Sequence, residues 1–391
     1  MSSLRGAASI IGVAELAPAR DTGDETELTL ASKIGFEALD DAGVVLGDVD
    51  GLLIHPLATT GRFVPATLAE FMGLQVSYAE SVDLGGATSV GMLWRAASAI
   101  ASGMCSVCLC VTSVPRSAKD VSSTGTTRRI VDLSPFREFE VPYGNIGATE
   151  GYALIARRYE HEFGDTSRAR AKVVVQQRMN AHGQPKAYFS DRAVTEEDVL
   201  DSEMIADPLR KLEIVMPTGG AAAVVVARRE VAERARWRGA HILGAGEAIT
   251  HKSISYAPNL TDTGIRRSAD RAFAMAGIGR EEIGLASLYD CYTITVLLTL
   301  EDAGFCEKGA AASFVNDHDL TWRGDFPLNT HGGQLSFGQA DIAGGMSHVV
   351  EAVLQLQGRA GDRQIANLDF AFVNGNGGIM SEQSSVILGN A

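Results

Sequence analysis

An internal repeat constrains the fold of this chain more than any other feature. Each half contains an apolar strand pattern, then an amphipathic helix pattern that ends in Ala-Gly, then a second apolar strand. In the first half these segments are "SIIGVAE" (Ser9–Glu15), "LTLASKIGFEALDDAGV" (Leu28–Val44) and "DVDGLLIH" (Asp48–His55). In the second half they are "HILGAGE" (His241–Glu247), "GIRRSADRAFAMAGI" (Gly264–Ile278) and "EIGLASLYD" (Glu282–Asp290). The repeat predicts two α/β halves of similar order, joined back to back.

A second pair of matching segments places helices inside the molecule. "ATSVGMLWRAASAIASG" (Ala87–Gly103) precedes the strand pattern Val107–Ser113, and "IAGGMSHVVEAVLQLQG" (Ile342–Gly358) precedes the strand pattern Leu368–Val373. Both helices carry small or apolar residues on most faces, which is typical of helices buried between layers. The strands are continuous apolar runs, as expected where both faces of a sheet are covered.

The repeat also matches two strand ends. Gly43 and Gly277 close the two amphipathic helices, and His55 and Tyr289 stand twelve residues after them. Because the two positions are equivalent in the halves, we expect both side chains at matching ends of core strands.

These patterns predict four segments along the chain. Residues 1–114 form the N-terminal half, and residues 207–236 complete it with the core strand of "PTGGAAAVVVARREVA". Residues 115–206 are richer in charge and less periodic, which indicates an inserted lid or substrate-binding region. Residues 237–391 form the C-terminal half.

Composition excludes several classes of function. Hydrophobic residues make up 46% of the chain, aromatic residues only 6%, and 42 residues are glycine, which favours a large core of small aliphatic side chains. The formal net charge of −14 argues against a nucleic-acid partner, which needs a basic face. No apolar run approaches the roughly 20 residues that span a membrane, and the N-terminus has no targeting pattern.

The five cysteines lack the pattern of a disulfide framework. Their odd number, without a signal peptide, predicts a reduced, cytoplasmic protein. Cys105 and Cys108 form a C-x-x-C, but they lie in an apolar stretch with no second ligand pair. We therefore expect buried strand cysteines and no metal site.

The stretch "VDLGGATSVGML" predicts a strand, a glycine turn and the start of a buried helix. Proteins use this arrangement to hold a reactive group over a helix N-terminus, where free N–H groups favour negative charge. No cysteine stands in the turn, and the hydroxyl residues Thr88 and Ser89 follow it. Without a paired base, a hydroxyl is a poor nucleophile.

Six phrases occur in order along nearly the whole chain: "GGATSVGML", "YGNIGATEGYALIARRYEHEFG", "PTGGAAAVVV", "LYDCYTITVLLTLEDAGFC", "NTHGGQLSFGQ" and "FVNGNGG". In these phrases and their order the chain resembles the thiolase superfamily, specifically its SCP-x and lipid-transfer-protein branch. The resemblance implies a five-layered αβαβα core, a homodimer and CoA thioester substrates. It also implies a separate, small accessory protein with an OB-fold and a zinc ribbon.

The chain departs from working thiolases at each catalytic position. Gly86 stands where the nucleophilic cysteine is expected, and Gln339 replaces the histidine of the family's "GHP" loop. Tyr289 replaces the histidine of the branch's His-Asp-Cys-Phe stretch, and the loop "VNGNGG" has no cysteine. The chain therefore resembles the members of the superfamily that lack the nucleophilic cysteine, which include steroid side-chain aldolases.

The two glycine turns are predicted to bind the thioester oxygen. Backbone N–H groups at a helix N-terminus stabilise a developing oxyanion without any side-chain nucleophile. We expect this role, or contact with the substrate, for Gly86 and Ala87 in the first turn and for Gly375 and Gly377 in "NGNGG".

Three side chains are candidates for catalysis. Tyr289 is the leading acid/base, although a phenol with a usual pKa near ~10 needs neighbouring donors or a coupled base. His331, in "NTHGG", is either catalytic or a hydrogen-bonded loop residue. Gln339 either orients a substrate oxygen or water, or satisfies loop backbone.

Two further residues are predicted members of the substrate-binding set. Asp290 follows Tyr289 directly, and the alternation of strand side chains favours an anchoring role for it. Tyr292 either lines the pocket or is a core tyrosine with a bonded hydroxyl.

The predicted reaction is C–C cleavage of a CoA thioester with no covalent acyl-cysteine. Retro-aldol cleavage of a branched or ring-bearing β-hydroxyacyl-CoA fits best, since it needs a base for the hydroxyl and donors for the thioester oxygen. One alternative is a β-ketoacyl-CoA thiolase in which CoA attacks directly, and another is a partner-dependent or non-catalytic subunit. No permanently bound cofactor is expected, because coenzyme A is part of the substrate.

Overall fold

The structure is a computed structural model that describes residues 4–58, 61–117 and 135–390. The strands are β1 Ala8–Glu15, β2 Gly51–Ile54, β3 Tyr78–Ser81, β4 Val107–Val114, β5 Met204–Ala206, β6 Leu209–Arg210, β7 Gly220–Arg228, β8 Ala240–Ile249, β9 Leu285–Leu288, β10 Phe370–Gly377 and β11 Glu382–Gly389. The helices are α1 Glu27–Ala42, α2 Val64–Met72, α3 Thr88–Ala101, α4 Pro135–Phe139, α5 Ala148–Phe163, α6 Ser167–His182, α7 Glu196–Asp201, α8 Arg229–Ala232, α9 Ile265–Ala276, α10 Thr293–Asp302, α11 Ala311–Asp317, α12 Gly333–Phe337 and α13 Gly345–Leu356. Residues 118–134 of the expected inserted region lie outside the described residues.

Nine strands form one sheet in the order β3-β2-β4-β7-β1-β8-β11-β10-β9. The seam between its halves is short, since β1 and β8 pair only at Ser9 with His241 and at Ile10 with Ala240. On either side of the seam the order is the same, because β1-β7-β4-β2 corresponds to β8-β11-β10-β9. In both halves the pair farther from the seam, β4 with β2 or β10 with β9, is parallel. The predicted α/β fold with a duplicated core is confirmed.

Alternating strand residues separate the core into layers. Cys108 and Cys110 of β4 pack in a cluster with α3 and α13, whereas Leu109 of the same strand packs with α1 and α2. In the second half, Val373 of β10 joins the α3 and α13 cluster, and Phe372 packs on α9 and α10. Helices α3 and α13 therefore form a central layer, covered on each side by a half-sheet and then by outer helices.

Glycines in the first strand of each repeat bring that strand close to its helix. A Cβ on Gly12 would lie 2.5 Å from Ala42 Cβ and 2.7 Å from Ala38 O. A Cβ on Gly244 would lie 2.0 Å from Ala272 O. The two contacts are equivalent in the repeat, so both α1 and α9 depend on a strand residue without a side chain.

The cysteines Cys105, Cys108 and Cys110 are buried and free. Within the described part of the chain, no group of three or more His, Cys, Asp or Glu side chains could hold a metal ion. In the same residues, no helix combines the length and the apolar character needed to cross a bilayer.

Gly244→Ala should destabilise the protein, because the added methyl group meets backbone of α9 rather than a movable side chain. Overpacking of this kind costs about 1–3 kcal/mol, measured as the loss in the free energy of unfolding in urea. Gly47→Ala is the control, since nothing lies within 4 Å of its added Cβ. A cost for Gly244→Ala no larger than that for Gly47→Ala would contradict the close strand–helix contact.

Candidate active site

The two buried helices begin beside each other at the centre of the molecule. A short 3-10 turn, Gly85–Ala87, leads into α3, and a second, Asp341–Gly344, leads into α13. The two turns pack together, and a Cβ on Gly345 would lie 2.4 Å from Gly86 O. The first residue of each turn has a left-handed backbone, with φ of 54° at Gly85 and 46° at Asp341.

Tyr289 occupies the space directly above the first turn. A Cβ on Gly86 would lie 2.3 Å from Tyr289 Cζ, 2.4 Å from its Oη and 2.4 Å from Asn376 O. Any side chain at residue 86 would therefore overlap the phenol. The position where a thiolase is expected to carry its nucleophile is filled by the ring that replaces the family histidine.

The equivalent strand end in the first half has a different use. His55 follows β2 and is 2% exposed. Its Nδ1 lies 2.8 Å from Pro56 O, and its Nε2 accepts the N–H of Ser113 at 3.1 Å. His55 thus ties two strand ends together through its ring nitrogens.

Tyr289 is a neutral phenol at neutral pH. It is 5% exposed, and burial raises its pKa well above the usual value, with a further increase from Cys291 and a smaller decrease from Gln339. The hydroxyl can donate a hydrogen bond or a proton. It can act as a base only by giving up its own proton at the same time.

Gln339 is held next to this hydroxyl. Its Nε2 lies 3.4 Å from Tyr289 Oη and 3.4 Å from Asp341 O, both long contacts for a hydrogen bond. Its backbone N–H donates to Met216 O at 3.3 Å, and Thr218 N–H donates to Gln339 O at 2.8 Å. The structure therefore brings two predicted residues, Tyr289 and Gln339, together as a pair of neutral donors.

Asp290 anchors the loop behind the site. It is fully buried, and its two carboxylate oxygens accept the N–H of Gln334 at 2.8 Å and the N–H of Leu335 at 3.1 Å. A Cβ on Gly333 would lie 2.2 Å from Asp290 Oδ2. Because both oxygens are used at the start of α12, this role replaces the grouping of Asp290 with substrate-binding residues.

His348 is a site residue that sequence reasoning missed. It is fully buried on α13, and its Nε2 lies 3.2 Å from both Asp290 Oδ1 and Gln334 Nε2. Its Nδ1 lies 3.2 Å from Ser287 Oγ, and its ring centroid lies 6.0 Å from that of Tyr289. An ionisable residue near the start of a mostly apolar, buried helix was the available signal.

His331 packs on the ring of His348, which in turn neighbours Tyr289. Its ring centroid is 5.0 Å from that of His348 and 5.4 Å from that of Phe337. The side chain is 1% exposed, and neither ring nitrogen has a hydrogen-bond partner among the described residues. Burial, with the nearby His348 charge, lowers its pKa well below 6.5. No hydrogen bond among the described residues supports the alternative of a bonded loop histidine, and a catalytic role for His331 stays a prediction.

Backbone bonds correct part of the predicted oxyanion site. Ala87 N–H donates to Leu84 O at 3.0 Å, so it is not free for a substrate oxygen. A Cβ on Gly375 would lie 2.8 Å from Ala87 Cα, and a Cβ on Gly377 would lie 1.9 Å from Leu84 O. These two glycines let β10 approach the turn, and a role for them in binding substrate stays a prediction.

Aromatic side chains pack beside the end of β10. Tyr292 Oη lies 2.9 Å from Thr149 Oγ1, and its ring stacks on that of Tyr152 at 4.3 Å. Tyr152 donates to Gly378 O at 3.0 Å and accepts from Asn376 Nδ2 at 2.8 Å. Tyr292 is thus held in place by a hydrogen bond and by ring stacking. Its neighbours Tyr152 and Asn376 were not predicted from the sequence.

The remaining nucleophile candidates are poor ones. Burial raises the pKa of Cys291 to about 12, so its thiol stays protonated. Thr88 Oγ1 accepts the N–H of Leu84 at 3.0 Å and closes the turn locally. Ser89 Oγ is fully buried and has no partner among the described residues, so no base activates it.

A double-mutant cycle tests the contact between Gly86 and Tyr289. Gly86→Ala should cost about 2 kcal/mol or more in the free energy of unfolding, because its methyl group overlaps the phenol. In a Tyr289→Ala background the same substitution should cost clearly less, with a remainder from Asn376 O. Equal costs in the two backgrounds would show that the phenol does not fill this space.

Acid stability tests the environment of His331. Below about pH 6.5 this histidine takes up a proton in the unfolded chain but not in the folded one, so stability falls with pH by up to about 1.4 kcal/mol per pH unit. His331→Gln should therefore lose less stability than the wild type between about pH 7.5 and about pH 5.5. His182→Gln, at an exposed histidine, is the control and should follow the wild type. Identical acid sensitivity in His331→Gln would refute the lowered pKa.

Comparison with known proteins places this geometry in a family. Residues 246–390 match the family described as "Thiolase C-terminal domain-like". The chain is 34% identical to the steroid side-chain-cleaving aldolase of Thermomonospora curvata, over 92% of each chain. It is 32% identical to the 17-hydroxy-3-oxo-4-pregnene-20-carboxyl-CoA lyase of Mycobacterium tuberculosis, over 99% of this chain and 100% of the relative. The solved Ltp2-ChsH2(DUF35) aldolase superposes with a TM-score of 0.88 at 31% identity, covering 99% of this chain and 98% of that one.

Proposed function

Since the chain belongs to the thiolase superfamily, in the branch of the steroid side-chain-cleaving aldolases, we propose that it cleaves a β-hydroxyacyl-CoA by a retro-aldol reaction. One observation carries the proposal: the Tyr289 phenol fills the space in which a thiolase nucleophile would sit. The site has lost its acyl carrier but has gained a buried proton donor at the same point.

Retro-aldol cleavage suits such a site, because it needs no covalent intermediate. A base removes the β-hydroxyl proton, the bond between Cα and Cβ breaks, and its electron pair becomes the enolate of the thioester. A ketone or aldehyde leaves, and the enolate carbon takes up a proton. The barrier depends on how well the thioester oxygen is stabilised while it gains charge.

Tyr289 and Gln339 are the donors for that oxygen. The Tyr289 hydroxyl is neutral, since burial raises its pKa, and the Gln339 Nε2 lies 3.4 Å from it. An oxygen that replaces this long contact can accept from both groups. Donors held in place before the reaction stabilise the enolate without reorganisation, and each is worth about 10²–10³-fold in rate.

The substrate class follows the named relatives. One relative acts on the side chain of a steroid, and another is named for a pregnene carboxyl-CoA thioester. We therefore propose a branched or ring-bearing acyl group on CoA. A small accessory protein, a homodimer of this chain and a cytoplasmic location complete the proposal, the first because the solved aldolase contains a DUF35 protein.

Two substrates tell the proposed lyase from a thiolase. The protein, alone and with a DUF35-type accessory protein, is incubated with a β-hydroxyacyl-CoA, and separately with the matching β-ketoacyl-CoA plus free CoA. Release of a ketone and a shortened acyl-CoA from the hydroxy substrate, without free CoA, is the expected result. Cleavage of the keto substrate alone, and only with free CoA, would overturn the proposal in favour of direct attack by CoA.

Tyr289→Phe tests the donor role in the same assay. The ring still fills the space above Gly86, so we expect a stable protein in which kcat falls by at least ~10²-fold. Tyr256→Phe is the control, at a tyrosine that is 61% exposed. Near-full activity of Tyr289→Phe would remove the phenol from the mechanism.

A further inference from the structure

Asp341 has a left-handed backbone, a conformation that aspartate tolerates better than most residues with a side chain. Its φ of 46° lies in the left-handed region, which residues with side chains seldom adopt. The matching turn of the first half begins with a glycine, Gly85, whose φ is 54°. Glycine adopts this conformation without penalty, whereas other residues held in it cluster at functional sites.

The Asp341 carboxylate has no structural use that explains this conformation. Within residues 4–58, 61–117 and 135–390, no hydrogen bond or ion pair engages its side chain, and only its carbonyl oxygen is contacted. Neither the turn that it begins nor α13 has a side-chain cap. The residue is half-buried, so its carboxylate is reachable from solvent.

Asp341 lies at the edge of the Tyr289 site. The Gln339 amide lies 3.4 Å from both Asp341 O and Tyr289 Oη, so a single side chain spans the two residues. Burial raises the pKa of Tyr289, and the negative charge of Asp341 adds to that increase; at His55, where burial lowers the pKa, the same charge opposes the decrease. Asp341 begins the turn that packs against Gly85–Ala87, so it lies near the point where the two helix turns meet.

We propose that Asp341 is the base that takes the proton from the substrate's β-hydroxyl and returns it to the enolate carbon. The inference rests on the proposed retro-aldol activity and adds the group that this reaction still needs.

The other ionisable groups near the site are unsuited to this step. Tyr289 already carries its proton at neutral pH. His348 Nε2 is in contact with Asp290 and Gln334, beneath the phenol. His331 lies behind His348 and is fully enclosed. Of these candidates, Asp341 alone is both unengaged and accessible.

The proton balance closes within one carboxyl group. The hydroxyl proton moves to the Asp341 carboxylate as the carbonyl of the leaving ketone forms. The electron pair of the broken C–C bond passes into the thioester enolate, whose oxygen is held by Tyr289 and Gln339. The Asp341 carboxylic acid then protonates the enolate carbon, which regenerates the carboxylate and gives the shortened acyl-CoA.

Two variants remove the carboxylate while keeping the turn. Asp341→Asn retains a residue that tolerates the left-handed region, and Asp341→Gly removes its strain altogether. Each is measured, with any accessory protein that the wild type requires, for cleavage of a β-hydroxyacyl-CoA and for binding of that substrate. The control is Asp362→Asn, at an exposed aspartate in another 3-10 turn.

A second assay is independent of the cleavage substrate. The enzyme is incubated in D₂O with a short acyl-CoA, and the exchange of its α-protons is followed by NMR or mass spectrometry. Exchange needs the same base and the same enolate, but no C–C bond breaks. Wild-type exchange without cleavage would reject the retro-aldol function and still test the base.

Loss of the carboxylate should lower kcat for cleavage and the rate of α-proton exchange by at least ~10²-fold. The substrate dissociation constant and the melting temperature should stay near wild-type values, and Asp362→Asn should behave as the wild type. Cleavage or exchange within about threefold of wild type in either stable variant would overturn the assignment, since removing a general base costs ~10²–10⁴-fold.

Discussion

The contact between the Tyr289 phenol and the bare backbone of Gly86 determines what the rest of the site can do. It joins the end of a core strand in one half of the molecule to the start of a buried helix in the other. The duplicated sheet sets this meeting point, because α3 and α13 begin side by side in the central layer. A ring of this size in a closed space loses water, and the pKa of its hydroxyl rises accordingly. The site therefore works with neutral donors rather than with a thiolate.

The same core also explains why the carboxylates of Asp290 and Asp341 have different surroundings. Asp290, fully buried, finds two backbone N–H groups and the ring of His348, whereas Asp341 keeps an unengaged carboxylate at the accessible rim. Buried charges need partners, while a carboxylate that is partly in water does not. This difference assigns one aspartate to structure and makes the other available for chemistry, although both lie close to Tyr289.

Much of the fold could be predicted from the sequence, because the repeat leaves periodic traces. The strands that end before His55 and Tyr289, the buried helices and the α/β class all follow from apolar patterns that occur once in each half. The site was harder to predict, because it depends on contacts between segments far apart in sequence. Tyr289 and Gln339 were found through their positions in motifs. The bond that occupies Ala87 N–H, the contacts of His348 with His331 and Tyr289, and the backbone of Asp341 leave no local pattern.

The tether between Asp290 and α12 has a consequence for engineering. One carboxylate holds the first N–H groups of that short helix and also faces His348, and Gln334 on the helix touches the same ring. The Asp290 side chain thus links the start of α12 to His348, both by hydrogen bonds and by its charge. Substitutions in α12 would therefore shift Asp290 and His348, and through them the position of the donor Tyr289, without altering any residue proposed to contact the substrate.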